Sequence, residues 1–338
     1  MEKVLVTGAS GFIALHCIQQ LLGQGYSVRG TVRNHKKGQE VIEAMRNYSA
    51  QPDNLEIVET DLLKDDGWDE AVQGCDYVLH LASPFILEEP DNEDDLIQPA
   101  VQGSLRVLKS CTGKSVKKVI MTSSFAAIGY GHDKEIYDEA DWSITDCLNI
   151  GAYAKSKTYA EKASWDYVAK LSDEEKFDFT VINPVAVTGP MLSRDIGTSN
   201  SMFIKFCDGS MPACPRIHIG FVDVRDVAKA HLFAMKSDTT NGERIIVSQK
   251  EMFFVEMSLI LKNAGFKKAP TREMPDFLVK IMALFVKELG GLKRSLGRTV
   301  FADKSKAKNL FNWEYISAED SAIETAEQLV SMGLIKKT

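Results

Sequence analysis

The chain lacks the cysteine and histidine patterns of disulfide-bonded and metal-binding proteins. Its 338 residues include six cysteines, none of them in a Cys-x-x-Cys pair, and six histidines without metal-ligand spacing. Cysteines scattered in this way are typical of reduced thiols in a core or at a surface. We therefore expect neither a disulfide framework nor a metal.

Clusters of positive charge are also absent. The chain carries 40 basic and 47 acidic residues, for a net charge of -7, with no basic block. Binding to nucleic acid is therefore not expected. The first predicted strand begins near residue 3, which leaves no room for a secretory signal peptide. A cytoplasmic protein is the expectation that follows.

Long hydrophobic runs are missing as well. The most apolar stretch, Phe277–Lys287, is interrupted by Lys280 and is too short to span a bilayer. We expect it to form a buried helix of a smaller domain. A subunit contact or a pocket lid is the first alternative, and a helix on a membrane surface is the second.

Short apolar strands alternate with longer amphipathic helices in the first half of the chain. This alternation predicts an α/β fold with a doubly wound parallel sheet of the Rossmann type. The predicted strands are Lys3–Val6, Ser27–Val32, Leu55–Glu59, Tyr77–Leu81, Lys118–Thr122 and Phe179–Ile182, and the predicted helices lie at about 12–23, 38–48, 68–73, 92–112 and 150–170.

The pattern loosens after Ile182, which suggests a second and smaller domain. We expect residues 1–184 to form the nucleotide-binding domain, with 220–247 returning to it through a strand near Gly220–Val222, a helix and the strand Arg244–Val247. Residues 185–219 and 248–338 would form a mostly helical substrate-binding domain. Ligands of such sheets bind beyond the carboxyl ends of the strands, so site residues should follow the strands.

A glycine-rich turn joins the first strand to the first helix. It contains Gly8, Ser10 and Gly11 and is followed by Phe12 and Ile13. Glycine lets the backbone approach a pyrophosphate closely, and the helix that starts there presents free N–H groups to the phosphates. The strand before and the helix after give the motif its context, so the turn predicts a dinucleotide site.

The residues after the second strand indicate which dinucleotide is bound. Folds that prefer NAD place an acid there to bond the ribose 2′-hydroxyl, whereas this strand is followed by Arg33 and, a little later, Lys37. A guanidinium pairs with phosphate through two hydrogen bonds, and an ammonium adds a point charge. We infer NADP(H), with Arg33 as the main contact to the 2′-phosphate; a solvated basic loop is the alternative.

Two further segments carry reactive side chains. Tyr153 and Lys157 are four residues apart on a predicted helix, so they share a face. An ammonium near a phenol lowers the pKa of the phenol and suits it to proton exchange. The fifth predicted strand ends in Thr122, Ser123 and Ser124, where a serine can donate a hydrogen bond to a substrate oxygen. Each feature alone also fits an ordinary helix face or strand end.

Taken in this order, the features resemble the extended short-chain dehydrogenase/reductase superfamily. Within it the chain is similar to dihydroflavonol reductases and to the related NADPH-dependent aldehyde and ketone reductases of microbes. Four more segments support the resemblance, which weakens beyond about residue 250: 11–14, His80–Pro84, Asn183–Pro184 and Phe221–Ala228.

The resemblance implies roles for individual residues. Tyr153 would donate a proton to the carbonyl oxygen, and Lys157 would hold the ribose hydroxyls of the nicotinamide half. Ser124, in preference to Ser123, would polarise the carbonyl. The remaining assignments are Asp61 with Leu62 at the adenine (Asp61 could instead cap a turn), Ala82 at a ribose, Pro184 to Val187 at the nicotinamide amide, and Phe85, Phe125, Tyr130, Met191 and Met202 in the substrate pocket.

The function that the resemblance implies is NADPH-dependent reduction of an aldehyde or ketone to an alcohol. An NAD-dependent nucleotide-sugar epimerase or dehydratase is the first alternative, although Phe125-Ala126 stands where a dehydratase would be expected to have an Asp-Glu pair. A redox sensor that binds NADPH without consuming it is the second. The expected partner is a small carbonyl compound, and a homodimer stays open.

Overall fold

The structure is a computed structural model that describes residues 1–49, 51–84, 90–147, 150–283 and 295–337. Its strands, numbered along the chain, are β1 (Lys3–Thr7), β2 (Ser27–Val32), β3 (Leu55–Glu59), β4 (Tyr77–His80), β5 (Lys118–Thr122), β6 (Ile136–Tyr137), β7 (Asp178–Pro184), β8 (Ala186–Thr188), β9 (Cys214–Pro215), β10 (His218–Asp223), β11 (Arg244–Val247), β12 (Lys250–Phe253), β13 (Glu273–Met274) and β14 (Phe301–Ala302).

Helices separate most of these strands. The α-helices in the described part of the chain are α1 (Phe12–Gly23), α2 (His35–Tyr48), α3 (Trp68–Val72), α4 (Asp94–Cys111), α5 (Ala152–Val168), α6 (Thr198–Asp208), α7 (Val224–Lys236), α8 (Phe254–Asn263), α9 (Asp276–Met282), α10 (Ser305–Leu310) and α11 (Ala318–Ser331). Short 3-10 helices cover Pro52–Asn54, Phe125–Ala127 and Asp238–Thr240.

A seven-stranded parallel sheet forms the centre of the fold. Its strand order is β11-β7-β5-β4-β1-β2-β3, and every neighbouring pair is parallel. The inner strands β1 and β5 are apolar over most of their length and almost fully buried, as expected for a sheet covered by helices on both faces. The predicted doubly wound parallel sheet is confirmed.

One predicted strand lies in a different sheet. The strand near Gly220–Val222 was expected to return to the central sheet, but β10 pairs with β8 and β12 in a separate three-stranded sheet. Only β11 returns, where it pairs with β7. A short apolar run has the same pattern in either sheet, and long-range pairing decides between them.

Two hydrophobic cores meet beside the first helix. One core packs α1, α2 and α7 against one face of the central sheet, and the other lies among α6, α8 and α11. Phe12 packs against both cores. The fully buried carboxylate of Asp223 accepts hydrogen bonds from the guanidinium of Arg225 and the hydroxyl of Ser321, which fixes α11 to the end of β10.

The apolar segment that begins at Phe277 is not a buried helix where it is described. In α9, Val279 is fully buried, whereas Phe277 is 62% exposed and Ile281 is 51% exposed. The expectation was wrong for 277–283 because one side of this short helix faces the protein; residues 284–287 lie outside the described part. Among the described helices, none combines the length and hydropathy needed to cross a bilayer.

Candidate active site

A cavity of about 1580 Å³ opens at the carboxyl ends of the central strands. It brings together residues that the sequence places far apart. Those predicted residues that line it are Gly8, Ser10, Gly11, Phe12, Ile13, Arg33, Lys37, Asp61, Leu62, Ala82, Ser124, Phe125, Tyr130, Tyr153, Lys157, Pro184, Val187 and Met202. Phe85 lies outside the described residues. Met191 does not line the cavity; it is buried in the second core, where its sulfur accepts a hydrogen bond from Asn200.

The glycine-rich turn has the shape that a bound pyrophosphate requires. Gly8 has φ +65, and a Cβ on it would lie 3.0 Å from the Cα of Ala82. Gly11 caps α1 without any side-chain hydrogen bond, so the first N–H groups of the helix stay available to a ligand. A side chain on Gly8 would collide with Ala82, so glycine is what lets the turn pack this closely against the loop after β4. Because Gly8 and Gly11 also line the cavity, the turn fits a dinucleotide.

The two basic residues at the predicted 2′-phosphate site differ in their ion pairing. Helix α2 begins at His35, three residues earlier than predicted, because the side chain of Asn34 accepts a hydrogen bond from the backbone N–H of Lys37. The ammonium of Lys37 pairs with Glu40 at 2.7 Å. Arg33 is exposed and forms no ion pair with the described residues, which leaves its guanidinium available to a phosphate.

The loop after β3 is held by its own backbone. The carboxylate of Asp61 accepts a hydrogen bond from the backbone N–H of Leu63 at 3.0 Å, so it caps a turn, the alternative noted for this residue. The indole of Trp68 donates to the carbonyl of Asp61 at 3.1 Å, and Arg106 donates to the carbonyl of Leu62. These bonds place Asp61 and Leu62 at the cavity wall.

Ser124 and Tyr153 are in direct contact. Ser124 caps the 3-10 helix Phe125–Ala127, where its hydroxyl accepts a hydrogen bond from the backbone N–H of Ala126 at 3.1 Å. The same hydroxyl hydrogen-bonds the phenol of Tyr153. Ser123 is 3% exposed, and its hydroxyl has no hydrogen-bond partner among the described residues.

The protonation of Tyr153 differs from the sequence-based expectation. Burial raises the pKa of the phenol above its ordinary value, and the hydrogen bond with Ser124 only partly offsets this. The ammonium of Lys157 lies 5.9 Å from the centre of the ring, and burial lowers the pKa of Lys157 to about 8. Desolvation outweighs the expected charge effect, so the phenol of Tyr153 stays neutral.

Ser83 is a site residue that the sequence reasoning missed. Its hydroxyl accepts a hydrogen bond from the ammonium of Lys157 at 3.1 Å. The backbone leading to it is fixed by Thr7, whose hydroxyl accepts from the N–H groups of Leu81 and Ala82 at 3.1 and 3.0 Å. Ser83 lies just beyond the carboxyl end of β4, after Leu81 and Ala82, and this position was the available signal.

The far part of the cavity is mostly apolar. Phe125 packs edge-to-face on Tyr137, with ring centres 6.1 Å apart, and also lines the cavity. Beyond it, the wall includes Tyr130, Met202, Phe206, Met211, Ile219, Phe254, Met274 and Val279. Such a wall suits a substrate with hydrocarbon or aromatic groups around its reactive centre.

Comparison with known proteins assigns the chain to a family. The sequence profile of the NAD dependent epimerase/dehydratase family matches residues 4–248. The chain belongs to this family. It is 33% identical to the NADPH-dependent methylglyoxal reductase of Saccharomyces cerevisiae, over 97% of this chain and 98% of that protein. It is 31% identical to the dihydroflavonol 4-reductase of Arabidopsis thaliana, over 99% and 84% respectively.

A solved structure has the same fold over the same length. The yeast methylglyoxal/isovaleraldehyde reductase Gre2, complexed with NADPH, matches with a TM-score of 0.80 at 29% identity, covering 98% of this chain and 100% of that one. The predicted membership of the extended short-chain dehydrogenase/reductases, of the dihydroflavonol reductase type, is confirmed.

Proposed function

We propose that this chain reduces an aldehyde or ketone to an alcohol, with Tyr153 as the proton donor and Ser124 as the second hydrogen-bond donor to the carbonyl oxygen. One observation carries the proposal. The hydroxyl of Ser124 and the phenol of Tyr153 are hydrogen-bonded to each other in the cavity that also contains Lys157 and the glycine-rich turn.

The class of enzyme and the cofactor follow from the relatives. The chain is an NADPH-dependent oxidoreductase, as predicted: its relatives include NADPH-dependent reductases, and its structural neighbours include one complexed with NADPH. The residues present fit this cofactor, because Gly8, Gly11 and Arg33 line the cavity, Gly11 leaves the start of α1 without a side-chain cap, and Arg33 has no acidic partner within the described part of the chain. NADPH, when bound, supplies the hydride.

The side chains at the cavity supply the proton and the placement. Tyr153 holds its proton at neutral pH because burial raises the pKa of the phenol. A carbonyl oxygen that takes the place between Ser124 and Tyr153 would accept a hydrogen bond from each, which stabilises the negative charge that develops there. The ammonium of Lys157 would then stabilise the phenolate left on Tyr153 and bind the ribose hydroxyls.

The cavity wall supports a small carbonyl compound with apolar substituents as the substrate. We assign the nucleotide to residues 1–184 with 224–247. The substrate side would come from 185–223 and 248–338, because the apolar wall draws mainly on these segments. Five of the six free cysteines are buried and the sixth is half-buried, which supports a reducing, cytoplasmic setting.

A substrate survey tests the proposal. Purified protein should consume NADPH with some members of a panel of aldehydes and ketones, and should do so faster than it consumes NADH. Failure to oxidise NADPH with any carbonyl would contradict the proposal. Turnover of a sugar nucleotide without added cofactor would favour an epimerase or dehydratase instead, and tight NADPH binding without consumption would favour a redox sensor.

A further inference from the structure

Glu161 is a fully buried carboxylate on the helix that carries Tyr153 and Lys157. It follows Lys157 by four residues, so the two share a face of α5. The side chain is 0% exposed, and its carboxylate accepts hydrogen bonds from three side-chain groups, two outside the helix and one within it. These are the Nε of Arg244, the Nδ2 of Asn183 at 2.8 Å and the indole of Trp165 at 3.4 Å.

Asn183 connects this carboxylate to the strand end that holds Ser124. Its Nδ2 donates to Glu161 and also to the backbone carbonyl of Ser124, at 3.2 Å. Asn183 lies on β7, next to β5 in the sheet, and is fully buried. One amide group therefore ties α5 to the residue whose hydroxyl contacts Tyr153.

Arg244 completes the network from the other side. It lies on β11, is 8% exposed and stacks 3.7 Å from the centre of the Trp142 ring. Its NH1 donates to the carbonyls of Glu139 and Asp141 at 2.8 and 2.6 Å. Burying an ion pair costs desolvation free energy, and apolar side chains of similar size could replace it without loss of stability. Its presence one helical turn from Lys157 therefore suggests a role beyond stability.

The charges around Lys157 indicate that reason. Among the described residues, Glu161 is the one charged group whose field raises the pKa of Lys157 against the effect of burial. The other groups near the ammonium are uncharged: burial keeps His80, at the end of β4, neutral with a pKa of about 3, Tyr153 is a phenol, and Ser83 is a hydroxyl. The charge of Arg244 lies beyond Glu161 and is bonded to it.

We propose that Glu161 is a positioning residue for the reduction, which compensates the buried ammonium of Lys157 and, through Asn183, holds α5 in register with Ser124. The proposal rests on the roles given above to Tyr153, Lys157 and Ser124. It assigns to Glu161 no contact with substrate or cofactor. Its effect is on the charge of Lys157 and on the position of α5 relative to Ser124.

Glu161→Gln tests the charge while keeping the shape of the side chain. Without the carboxylate, Lys157 should lose its proton at a lower pH. We expect the alkaline limb of kcat/KM, measured at saturating NADPH, to move down by about one pH unit, so that activity at pH 8 falls about fivefold relative to activity at pH 6. The NADPH dissociation constant, measured by fluorescence without substrate, should begin to rise at the same lower pH. Glu161→Asp, which keeps the carboxylate, should show pH dependences of kcat/KM and of NADPH binding close to those of the native protein.

A double variant separates compensation of Lys157 from simple stability. Glu161→Gln leaves Arg244 buried without its partner and will lower the unfolding temperature. Glu161→Gln with Arg244→Gln removes both charges, so the unfolding temperature should recover in part while the alkaline limb stays displaced. Asp223→Asn breaks the ion pair between the fully buried carboxylate of Asp223 and the partly exposed Arg225, away from the cavity; it should lower the unfolding temperature and leave the limb in place.

Several results would overturn the inference. An alkaline limb that stays at its native pH in Glu161→Gln and in the double variant would do so. An equal displacement of the limb in Asp223→Asn would do so as well. A double variant that fails to fold would show that the network serves the fold and not the site. Activity retained in Tyr153→Phe would instead overturn the proposed function, whatever the glutamate variants do.

Discussion

The ammonium of Lys157 donates a hydrogen bond to the hydroxyl of Ser83 at 3.1 Å. Lys157 lies on α5, whereas Ser83 follows β4, so this bond ties the helix that carries Tyr153 to the strand edge beside the glycine-rich turn. The contact fixes the direction of the long Lys157 side chain. The entropy cost of ordering this side chain is therefore met on folding and not when a ligand binds.

Ser83→Ala should weaken both cofactor binding and turnover. A lost hydrogen bond to a charged group costs about 1.5 to 3 kcal/mol at a buried site. Because Ser83 is only half-buried, we expect the lower part of that range, or about a tenfold loss in kcat/KM. Steady-state kinetics and NADPH titration check this. Ser115→Ala, which lies before the amino end of β5, is the control; equal losses in the two variants would contradict the account.

The reduction should lose activity as pH rises through about 8. Burial lowers the pKa of Lys157 from 10.5 to about 8, so the charged form predominates below that pH and disappears above it. The pKa of Tyr153 is raised above 10, so its ionisation does not account for a limb near pH 8. A kcat/KM profile at saturating NADPH measures this limb. A profile that stays flat up to pH 9.5 would show that Lys157 keeps its charge or does not matter.

Arg33 should contribute more to NADPH binding than Lys37. Glu40 already pairs with Lys37 at 2.7 Å, and this shared charge weakens the attraction of Lys37 for a phosphate. Arg33→Met should raise the NADPH dissociation constant about ten- to hundredfold, the value of one or two charge-assisted hydrogen bonds. Lys37→Met should raise it about threefold, and Glu40→Gln should lower it about twofold.

The response to NADH serves as the internal control for these variants. NADH has no 2′-phosphate, so its dissociation constant should change little in Arg33→Met. An equal loss of affinity for NADPH and NADH would mean that Arg33 supports the loop and does not bind the phosphate.

Gly8→Ala should abolish NADPH binding, whereas Gly25→Ala should not. Both glycines have positive φ, +65 and +84, so alanine at either position costs about 1 kcal/mol of stability. At Gly25 nothing lies within 4 Å of an added Cβ, but at Gly8 the Cβ would lie 3.0 Å from Ala82. Thermal unfolding and NADPH titration of the pair check this. Normal binding by Gly8→Ala would mean that the turn does not hold the pyrophosphate.

The local patterns of the chain were sufficient for the central sheet. The strands through Lys118–Thr122 match their predicted bounds within one residue, because buried parallel strands have a strong and simple apolar signal. His218–Asp223 shows where that signal ends: its apolar residues fit any sheet, and its partners β8 and β12 are chosen by tertiary pairing. Phe277 shows a second limit of the apolar pattern, since an apolar residue need not be buried.

Charge and burial at the site were harder to predict than position. Glu161, four residues after Lys157, has the spacing of an ordinary surface ion pair, and only the packing of α5 shows that it is fully buried. The raised pKa of Tyr153 has the same origin, because desolvation depends on neighbours that spacing does not reveal. Ser83 was missed because its one signal, the position after a strand, is not joined by any motif of residue spacing.

The most direct test of the account is the activity of Tyr153→Phe, measured beside its affinity for NADPH. Removal of the phenolic hydroxyl leaves the ring and the packing in place. If Tyr153 donates the proton, kcat for a carbonyl substrate should fall at least a hundredfold, while the NADPH dissociation constant stays within about threefold of the native value. A variant that binds NADPH normally and reduces the carbonyl at close to the native rate would contradict the central claim.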